Sequence, residues 1–375
     1  MLYNYYVRNQ LQRITMRKTF QFRIYPNKKQ KTTLYQQLDE CRWLYNHLLQ
    51  QRKDNWENNQ TSISMYDQHK YITQLKEIKP VLQTVYSQVL QDVATRVDLA
   101  FQSFFRRLKY KTDKPGYPRF KSKDRYDSMT FKQNGFQLKD KKLKISKVGS
   151  IKIVKHREIK GEIKTLTIRK NNLNHWFACF SVEIQEPNIL PKTNQLIGID
   201  VGLESFATYS DGIKIENPKF LKKSEEKLSK LQSKYSKYKG KKTKQKLNKL
   251  HIKISNQRKD FCHKLSKNII NEYDIICIED LNINKMVKNH QLAKSIYDAA
   301  WNQFVQFLIY KAEEADREIR QVNPAYTSQD CSSCGYRVAK KLSERTYICP
   351  NCGLNIDRDV NASLNILRLG MSLNL

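Results

Sequence analysis

The stretch "LIGIDVGLESFATYSDGIKI", Leu196–Ile215, decides how this chain is read. Ile197, Ile199 and Val201 alternate with the other positions, the period-two signature of a strand. Gly202 opens a turn, a second strand follows, Asp211 and Gly212 turn again, and a third strand begins. A strand–turn–strand–turn–strand run followed by long helical patterns places the chain in the α/β multidomain class. Asp200 lies on the first strand between Gly198 and Gly202. Glycines there are expected to let a ligand approach the backbone closely. The question is what else meets Asp200.

Two other carboxylate sites stand out downstream. "YDIICIEDL" is a buried strand that ends on Glu279 and Asp280. A carboxylate at the end of an apolar strand is costly unless it is paired or binds a cation. Alternation puts Glu279 on the face of Cys277 and Ile275, and Asp280 on the other. "NIDRDVNASLNI" offers Asp357 and Asp359 at a helix start, where one is expected to act as the N-cap and the other to be held rigidly. Strand Asp, strand Glu and helix Asp together form a hard-oxygen set suited to Mg²⁺ or Mn²⁺. Two such ions about 3.5–4 Å apart clamp a phosphodiester during hydrolysis. The "GIDVG" run also occurs at the phosphate-binding strand of actin-like kinases, but no second phosphate loop or adenosine-binding glycine pair accompanies it.

"CSSCG" and "CPNCG" place Cys331, Cys334, Cys349 and Cys352 in two pairs with fourteen residues between them. Four thiolates at this spacing, each pair followed by a turn glycine (Gly335, Gly353), predict a closed, structural zinc site with no open coordination position. The staple fixes where the last helix and its aspartate begin. Cys41, Cys179, Cys262 and Cys277 lie in apolar or helical patterns and are expected to be reduced and structural.

Upstream, "FQFRIYP" reads as a strand, after which Asn27 caps a helix carrying Leu34, Leu38, Cys41, Tyr45 and Leu48 on one face. A second helical stretch, Val81–Leu108, lines up Val85, Val89, Val93 and Val97. On its other face Ser87, Gln88 and Gln91 are candidates to read base edges. A basic Gly/Pro breaker, "KYKTDKPGYPRFKSK", precedes short alternating strands through Phe131, Phe136, Leu138, Leu143, Ile145, Ile151 and Ile153. "WFACFSVEI" closes that small antiparallel barrel or sandwich. Beyond the "GIDVG" region, Lys222–Lys264 holds sixteen Lys/Arg against three acidic residues. Apolar stripes around "KGKKTK" fold this stretch into a basic helical hairpin, with Lys241, Lys242 and Lys244 as candidate nucleic-acid contacts. Ile296–Arg317 is expected to be one helix and "IRQVN" a short strand.

Composition points the same way. Lys and Arg number 69 against 36 Asp and Glu, a formal charge of +33 spread over 375 residues. A chain so self-repelling is expected to meet a polyanion, and its abundant Tyr and Phe can stack on bases. The 39% hydrophobic content excludes a disordered chain. No run approaches the ~20 apolar residues of a membrane span. The first residues do not form a secretory signal, and the reduced, scattered cysteines point to a reducing cytoplasm, nucleoid-associated when the protein is on DNA. Residues 1–15 read as an extension ahead of a start at Met16.

Taken in order, "FRIYPNKKQ…CRWLYNHLL", "GYPRFKSK", "GIDVGLESFAT", "NQRKDFCHKLS", "IEDLNI", "NHQLAKSIYDAAW", "YKAEEAD", "TSQDCSSCG" and "CPNCGLNIDRDVNASLNI" resemble the TnpB family of transposon-encoded proteins, relatives of the type V CRISPR effectors. The likeness runs from about Met16 to Gly370. It implies an RNase H-like (RuvC) nuclease domain with an inserted zinc-ribbon-like domain, plus a β-barrel wedge domain and a helical recognition domain. The implied divisions are 1–15 extension, 16–34 and 126–194 wedge, 35–125 helical recognition, 195–325 nuclease (with the basic hairpin at 221–265), 326–355 zinc-binding target nucleic-acid-binding domain, and 356–375 nuclease. It implies catalytic, Mg²⁺-binding roles for Asp200, Glu279 and Asp359, with Asp357 as cap or supporting group. It also implies a guide RNA from the transposon end and a double-stranded DNA target cut beside a short motif, both strands by one site. Two other readings remain: a non-cleaving nucleic-acid-binding regulator of transposition, and a strand transferase. No tyrosine or serine recombinase arrangement is recognisable.

Overall fold

The computed structural model describes residues 16–110, 115–185, 189–282, 286, 288, 290–339 and 344–373; the extension expected at residues 1–15 lies outside them. The chain divides into two compact units, Met1–Glu186 and Pro187–Leu375.

The first unit opens with β1 (Met16–Tyr25), then α1 (Lys28–Asn59), α2 (Met65–Ile78) and α3 (Ser87–Tyr110). Asn27 caps α1 as the sequence suggests. Its side chain accepts from the Gln30 N–H at 2.9 Å, and Gln30 returns the bond to the Asn27 N–H at 3.0 Å. Leu34, Leu38, Cys41, Tyr45 and Leu48 are buried, and so are Val85, Val89, Val93 and Val97. The boundary expected after residue 34 falls inside α1. Six strands follow: β2 (Ser128–Lys132), β3 (Phe136–Lys139), β4 (Lys142–Ile145), β5 (Gly149–Val154), β6 (Glu162–Lys170) and β7 (Trp176–Ile184). With β1 they make an antiparallel sheet in the order β2-β6-β7-β1-β5-β4-β3. Its two edge strands, β2 and β3, are neighbours in sequence, joined by the short turn Gln133–Gly135. A sheet whose edges are so joined must curl into a nearly closed barrel. Trp176, Ala178, Phe180 and Val182, alternate residues of β7, are buried in it, and Ile184 at the strand end is half-buried.

The second unit is built on a five-stranded sheet of β8 (Leu196–Asp200), β9 (Ser205–Tyr209), β10 (Lys214–Glu216), β11 (Ile275–Glu279) and β12 (Glu318–Val322). The order is β10-β9-β8-β11-β12. β8, β11 and β12 run parallel, and β9 and β10 antiparallel. Between β10 and β11 come α4 (Phe220–Tyr238) and α5 (Lys241–Glu272), the basic hairpin. Between β11 and β12 lie α6 (His290–Ala299) and α7 (Trp301–Ala315). The single helix expected over Ile296–Arg317 is therefore two. Ala300 takes a left-handed conformation at φ 58° and breaks the run, and Asp316 ends it at φ 56°. A short hairpin of β13 (Thr346–Ile348) and β14 (Asn355–Asp357) belongs to the cysteine module, and α8 (Arg358–Ser372) closes the chain. Among the described residues no helix is long and apolar enough to cross a membrane.

Candidate functional site

β8 and β11 are parallel and in register, Ile199 beside Ile278. The next residue on each strand is Asp200 and Glu279, so the two carboxylates sit at the ends of adjacent strands. Alternation puts Asp200 on the face of Gly198, and Glu279 on the face of Cys277. α8 lies on that face. A methyl on Gly198 would overlap the Ser363 carbonyl and crowd Leu367, and one on Gly370 would overlap the Cys277 sulfur. Ile366 and Leu367 pack there with Cys277, Ile275 and Val322. Asp359 precedes Ser363 by about one helical turn. The contact that seats Ser363 on Gly198 thus carries Asp359 toward Asp200, two residues further along β8. Gly198 therefore admits a helix backbone, not a ligand as its flanking position had suggested. Gly202 lies close to the Ser205 carbonyl, within the turn.

Asp357 is the N-cap of α8, accepting from the N–H groups of Asp359 (3.0 Å) and Val360 (3.2 Å). Lys214 on β10 donates to its other oxygen at 2.7 Å. Burial would raise this carboxyl, but Lys214 and the two N–H groups hold it below the ordinary range. Asp359, in the first turn, meets the Arg358 guanidinium at 3.1 Å, with Arg345 further off at 3.9 Å. Burial, and then the negative charges of Glu279 and Asp359, hold Asp200 well above the usual carboxylate range, while Arg358 opposes the rise. Burial also raises Glu279, against a 2.5 Å hydrogen bond that the Thr327 hydroxyl donates to Oε1. The Asp280 N–H, just past the strand end, donates to the Val322 carbonyl at 2.8 Å.

A buried carboxyl raised further by two neighbouring carboxylates, as Asp200 is, marks a donor set in need of positive charge, and these oxygens match the preference of Mg²⁺ or Mn²⁺. Their oxygens are more widely spread than the thiols. Among the described residues the group of side chains whose ligand atoms all lie within 4.8 Å of one another is Cys331, Cys334, Cys349 and Cys352. Two of those sulfur pairs, Cys331–Cys352 and Cys334–Cys349, stand 3.6 Å apart. A tetrahedral zinc with bonds of about 2.3 Å sets its sulfurs about 3.8 Å apart, so the cluster fits zinc. Gly335 (φ 76°) and Gly353 (φ 73°) adopt the left-handed turns expected of the knuckles, donating to the Cys331 and Cys349 carbonyls at 2.9 and 3.0 Å. The Asn351 side-chain amide, then the Tyr336 N–H, pull the Cys334 thiol down to about 6. Of the other cysteines, Cys41, Cys262 and Cys277 are buried, and burial pushes their thiols up to about 12, 11 and 11.

The link between the two clusters was missed in sequence. Asn361 and Asn365 of α8 are buried, at 0% and 1% exposure. The side-chain amide of Asn361 donates to the Asp330 carbonyl and its oxygen accepts from the Ser332 N–H, both at 2.9 Å. Asn365 donates to the carbonyls of Thr327 (2.9 Å) and Asp330 (2.6 Å). These amides tie the first cysteine knuckle to the helix that bears Asp359. Their spacing of four on an otherwise apolar helix face was the available signal.

The candidate nucleic-acid contacts fall in two places. Ser87 and Gln91 are exposed at the start of α3. Lys76 donates to the Ser87 hydroxyl at 3.0 Å, and the Gln88 side-chain oxygen is buried with no hydrogen-bond partner among the described residues. Lys241, Lys242 and Lys244 are exposed on the first turn of α5. A groove of about 720 Å³ between α4 and α5 adds Lys227, Lys230, Lys246, Lys249 and Lys253 over Leu231 and Leu250.

The chain matches three family models: a probable transposase over residues 179–290, a Cas12f1-like TNB domain over 301–366, and a helix-turn-helix domain over 16–61, which here is β1 and the single helix α1. It is 31% identical over 370 residues to a putative RNA-guided DNA endonuclease of Streptomyces pristinaespiralis, covering 95% of this chain and 90% of that one. It is 33% identical over 210 residues to a TnpB-like protein of Methanocaldococcus jannaschii, covering 54% of this chain and 71% of that one. The solved structure of the mini-RNA-guided endonuclease CRISPR-Cas_phi3 shares the fold at 11% identity, with a TM-score of 0.52 over 95% of this chain and 92% of that one. With a relative this similar along nearly its whole length, and with the ordered motifs and the cysteine module in place, the chain belongs to the TnpB family.

Proposed function

We propose that this protein is an RNA-guided, Mg²⁺-dependent endonuclease that cuts double-stranded DNA beside a short transposon-associated motif with one RuvC-like site. The observation that carries the reading is the seating of α8 on β8 and β11, which brings Asp359 close enough for its charge, with that of Glu279, to act on Asp200, in a chain of charge +33. The sheet order β10-β9-β8-β11-β12, antiparallel on one side and parallel on the other, supports the RNase H-like assignment. The relatives' names support the guide and the DNA target.

Asp200, Glu279 and Asp359 would hold the divalent cations. When bound, these supply Lewis-acid activation of water and stabilise the leaving 3′ oxygen. The chain's own part is geometric. The strand ends fix Asp200 and Glu279, α8 fixes Asp359, and Asp357 with Lys214 holds the helix start in place. Arg358 and Arg345 balance the acidic cluster on the Asp359 side. The lysines of the α4–α5 groove bind backbone phosphates without reading sequence. The curled sheet β1–β7 is the wedge, the helices α1–α3 are the recognition domain, and 326–355 contact the target strand.

The test is to sequence the RNA that copurifies from the native locus, then load it and assay plasmid cleavage with and without Mg²⁺. A single RNA species ending in a variable guide, with Mg²⁺-dependent cuts that Asp200→Ala abolishes, is expected. Full cutting by Asp200→Ala would sink the site assignment. Tight binding without any cut product would favour the regulator reading, and joined strands the transferase.

A further inference from the structure

Thr327 lies between the two clusters and belongs to neither. It is 2% exposed, in the turn that carries the chain from β12 to the first cysteine knuckle. Its hydroxyl donates to Glu279 Oε1 at 2.5 Å and lies 3.2 Å from the Pro324 carbonyl. Its own carbonyl accepts from the buried Asn365 amide at 2.9 Å. The turn that holds it is fixed from several sides. The Asn323 side chain accepts from the Ala325 N–H at 2.9 Å. Tyr326, the residue before Thr327, sits at φ 67°, a sparsely populated region for a tyrosine. The Arg337 guanidinium lies 3.5 Å over the Tyr326 ring. Arg337 is itself held by Asp330 at 2.6 Å, and the Asp330 carbonyl accepts from Asn361 and Asn365. A non-glycine residue keeps such a conformation where its surroundings over-determine it, and such positions concentrate at functional sites.

We propose that Thr327 is a positioning residue for the nuclease reaction: its hydroxyl takes up Glu279 Oε1, fixes the carboxylate's rotation and turns Oε2 toward Asp200. This rests on the reading of Asp200, Glu279 and Asp359 as the cation site. A glutamate has three side-chain torsions, and a strand end restrains only the backbone. Without a donor on one oxygen, the carboxylate rotates among several orientations, few of which face the aspartates. A short hydrogen bond to an ionised group is strong and directional, and supporting donors of this kind tune metal affinity by about 10–100-fold. The anchoring of Thr327 through Asn365 also explains why the cysteine module stands where it does. The knuckle closes the turn, and the turn aims Glu279.

The test compares Thr327→Val, which keeps the shape and loses the hydroxyl, with Thr327→Ser, which keeps the hydroxyl, and with Glu279→Gln. Each is loaded with guide RNA and assayed for single-turnover DNA cleavage across a Mg²⁺ titration, with a thermal melt as the check on folding. Thr327→Val is expected to slow cleavage by about 10–100-fold at low Mg²⁺ and to raise the half-saturating Mg²⁺ concentration by about tenfold. Thr327→Ser should restore both, and target binding should be unchanged. If Thr327→Val does not fold, Thr327→Ala is measured in its place. Wild-type cleavage by the hydroxyl-free variant at all Mg²⁺ concentrations overturns the proposal. So does slowing that leaves the Mg²⁺ dependence unmoved, or that Thr327→Ser shares, because either describes a merely structural threonine. Active Glu279→Gln overturns the cation-site reading itself, whereas inactive Glu279→Gln beside unaffected Thr327→Val overturns this inference alone.

Discussion

The four thiols and the three carboxylates are both candidate metal sites in one unit, yet they are made in opposite ways. The thiols lie close in sequence, each pair on its own tight turn, and their sulfurs meet within 4.8 Å. The carboxylates come from two neighbouring strands and a helix far along the chain, and burial with mutual repulsion holds Asp200 well above its usual range. A local site is specified by spacing and turn chemistry, whereas a distributed one is specified by packing. What joins them is α8, whose asparagines grip the knuckle and which lies on the sheet through close approaches at Gly198 of β8 and its own Gly370.

Breaking each side of that contrast gives different outcomes. The largest effect should come from Asp200→Ala, Glu279→Ala or Asp359→Ala. Each is expected to cut single-turnover cleavage by about a thousandfold or more while RNA and DNA binding, read by filter retention, stay near wild type. Next is Cys349→Ser. It removes a buried ligand and should lower the bound zinc, measured by elemental analysis, from one per chain toward none, and cleavage should fall with it because the knuckle no longer braces α8. A variant without zinc that cleaves normally would show that the two sites are independent.

Smaller effects test the packing. Gly198→Ala forces a methyl against the Ser363 carbonyl and Leu367 and should destabilise by roughly 1–3 kcal/mol in denaturant titration. Asn365→Leu orphans the Thr327 carbonyl, while the Asp330 carbonyl keeps its bond from Asn361, and should cost about 1–3 kcal/mol for the one group left unsatisfied. The smallest is Asp357→Ala, about 1 kcal/mol for the lost cap. Asp357 has a folded pKa below its unfolded one, so its contribution is present above the unfolded value and is lost as pH falls through the folded value. The gap between wild type and Asp357→Ala, read from melts across the acid range, should close in that window.

The contrast also marks what was legible in the sequence. Both knuckles, Asn27 as a cap, one of Asp357 and Asp359 as the cap of α8, and the strands through Ile197–Ile199 and Trp176–Val182 follow from local rules of turn, cap and period, and the structure contains them, with Asp357 as the cap. Gly198 was misread because a glycine beside a carboxylate on a strand suits a ligand and a helix equally well. Only the packing of Ser363 and Leu367 decides between them. The break at Ala300 left no trace, since alanine favours helix and its left-handed backbone is imposed from outside. Thr327 was passed over because its partner is a distant glutamate; Asn361 and Asn365 show their spacing of four, but their partners are backbone groups of a distant turn, which spacing does not identify.

The central claim is that Asp200, Glu279 and Asp359 form one divalent-cation site. The most direct test is anomalous diffraction at the manganese edge from crystals of the guide-loaded protein soaked in Mn²⁺. Anomalous peaks among these three carboxylates, lost in Asp200→Ala, are the expected result. Manganese bound elsewhere, with no peak between Asp200, Glu279 and Asp359, would contradict the account.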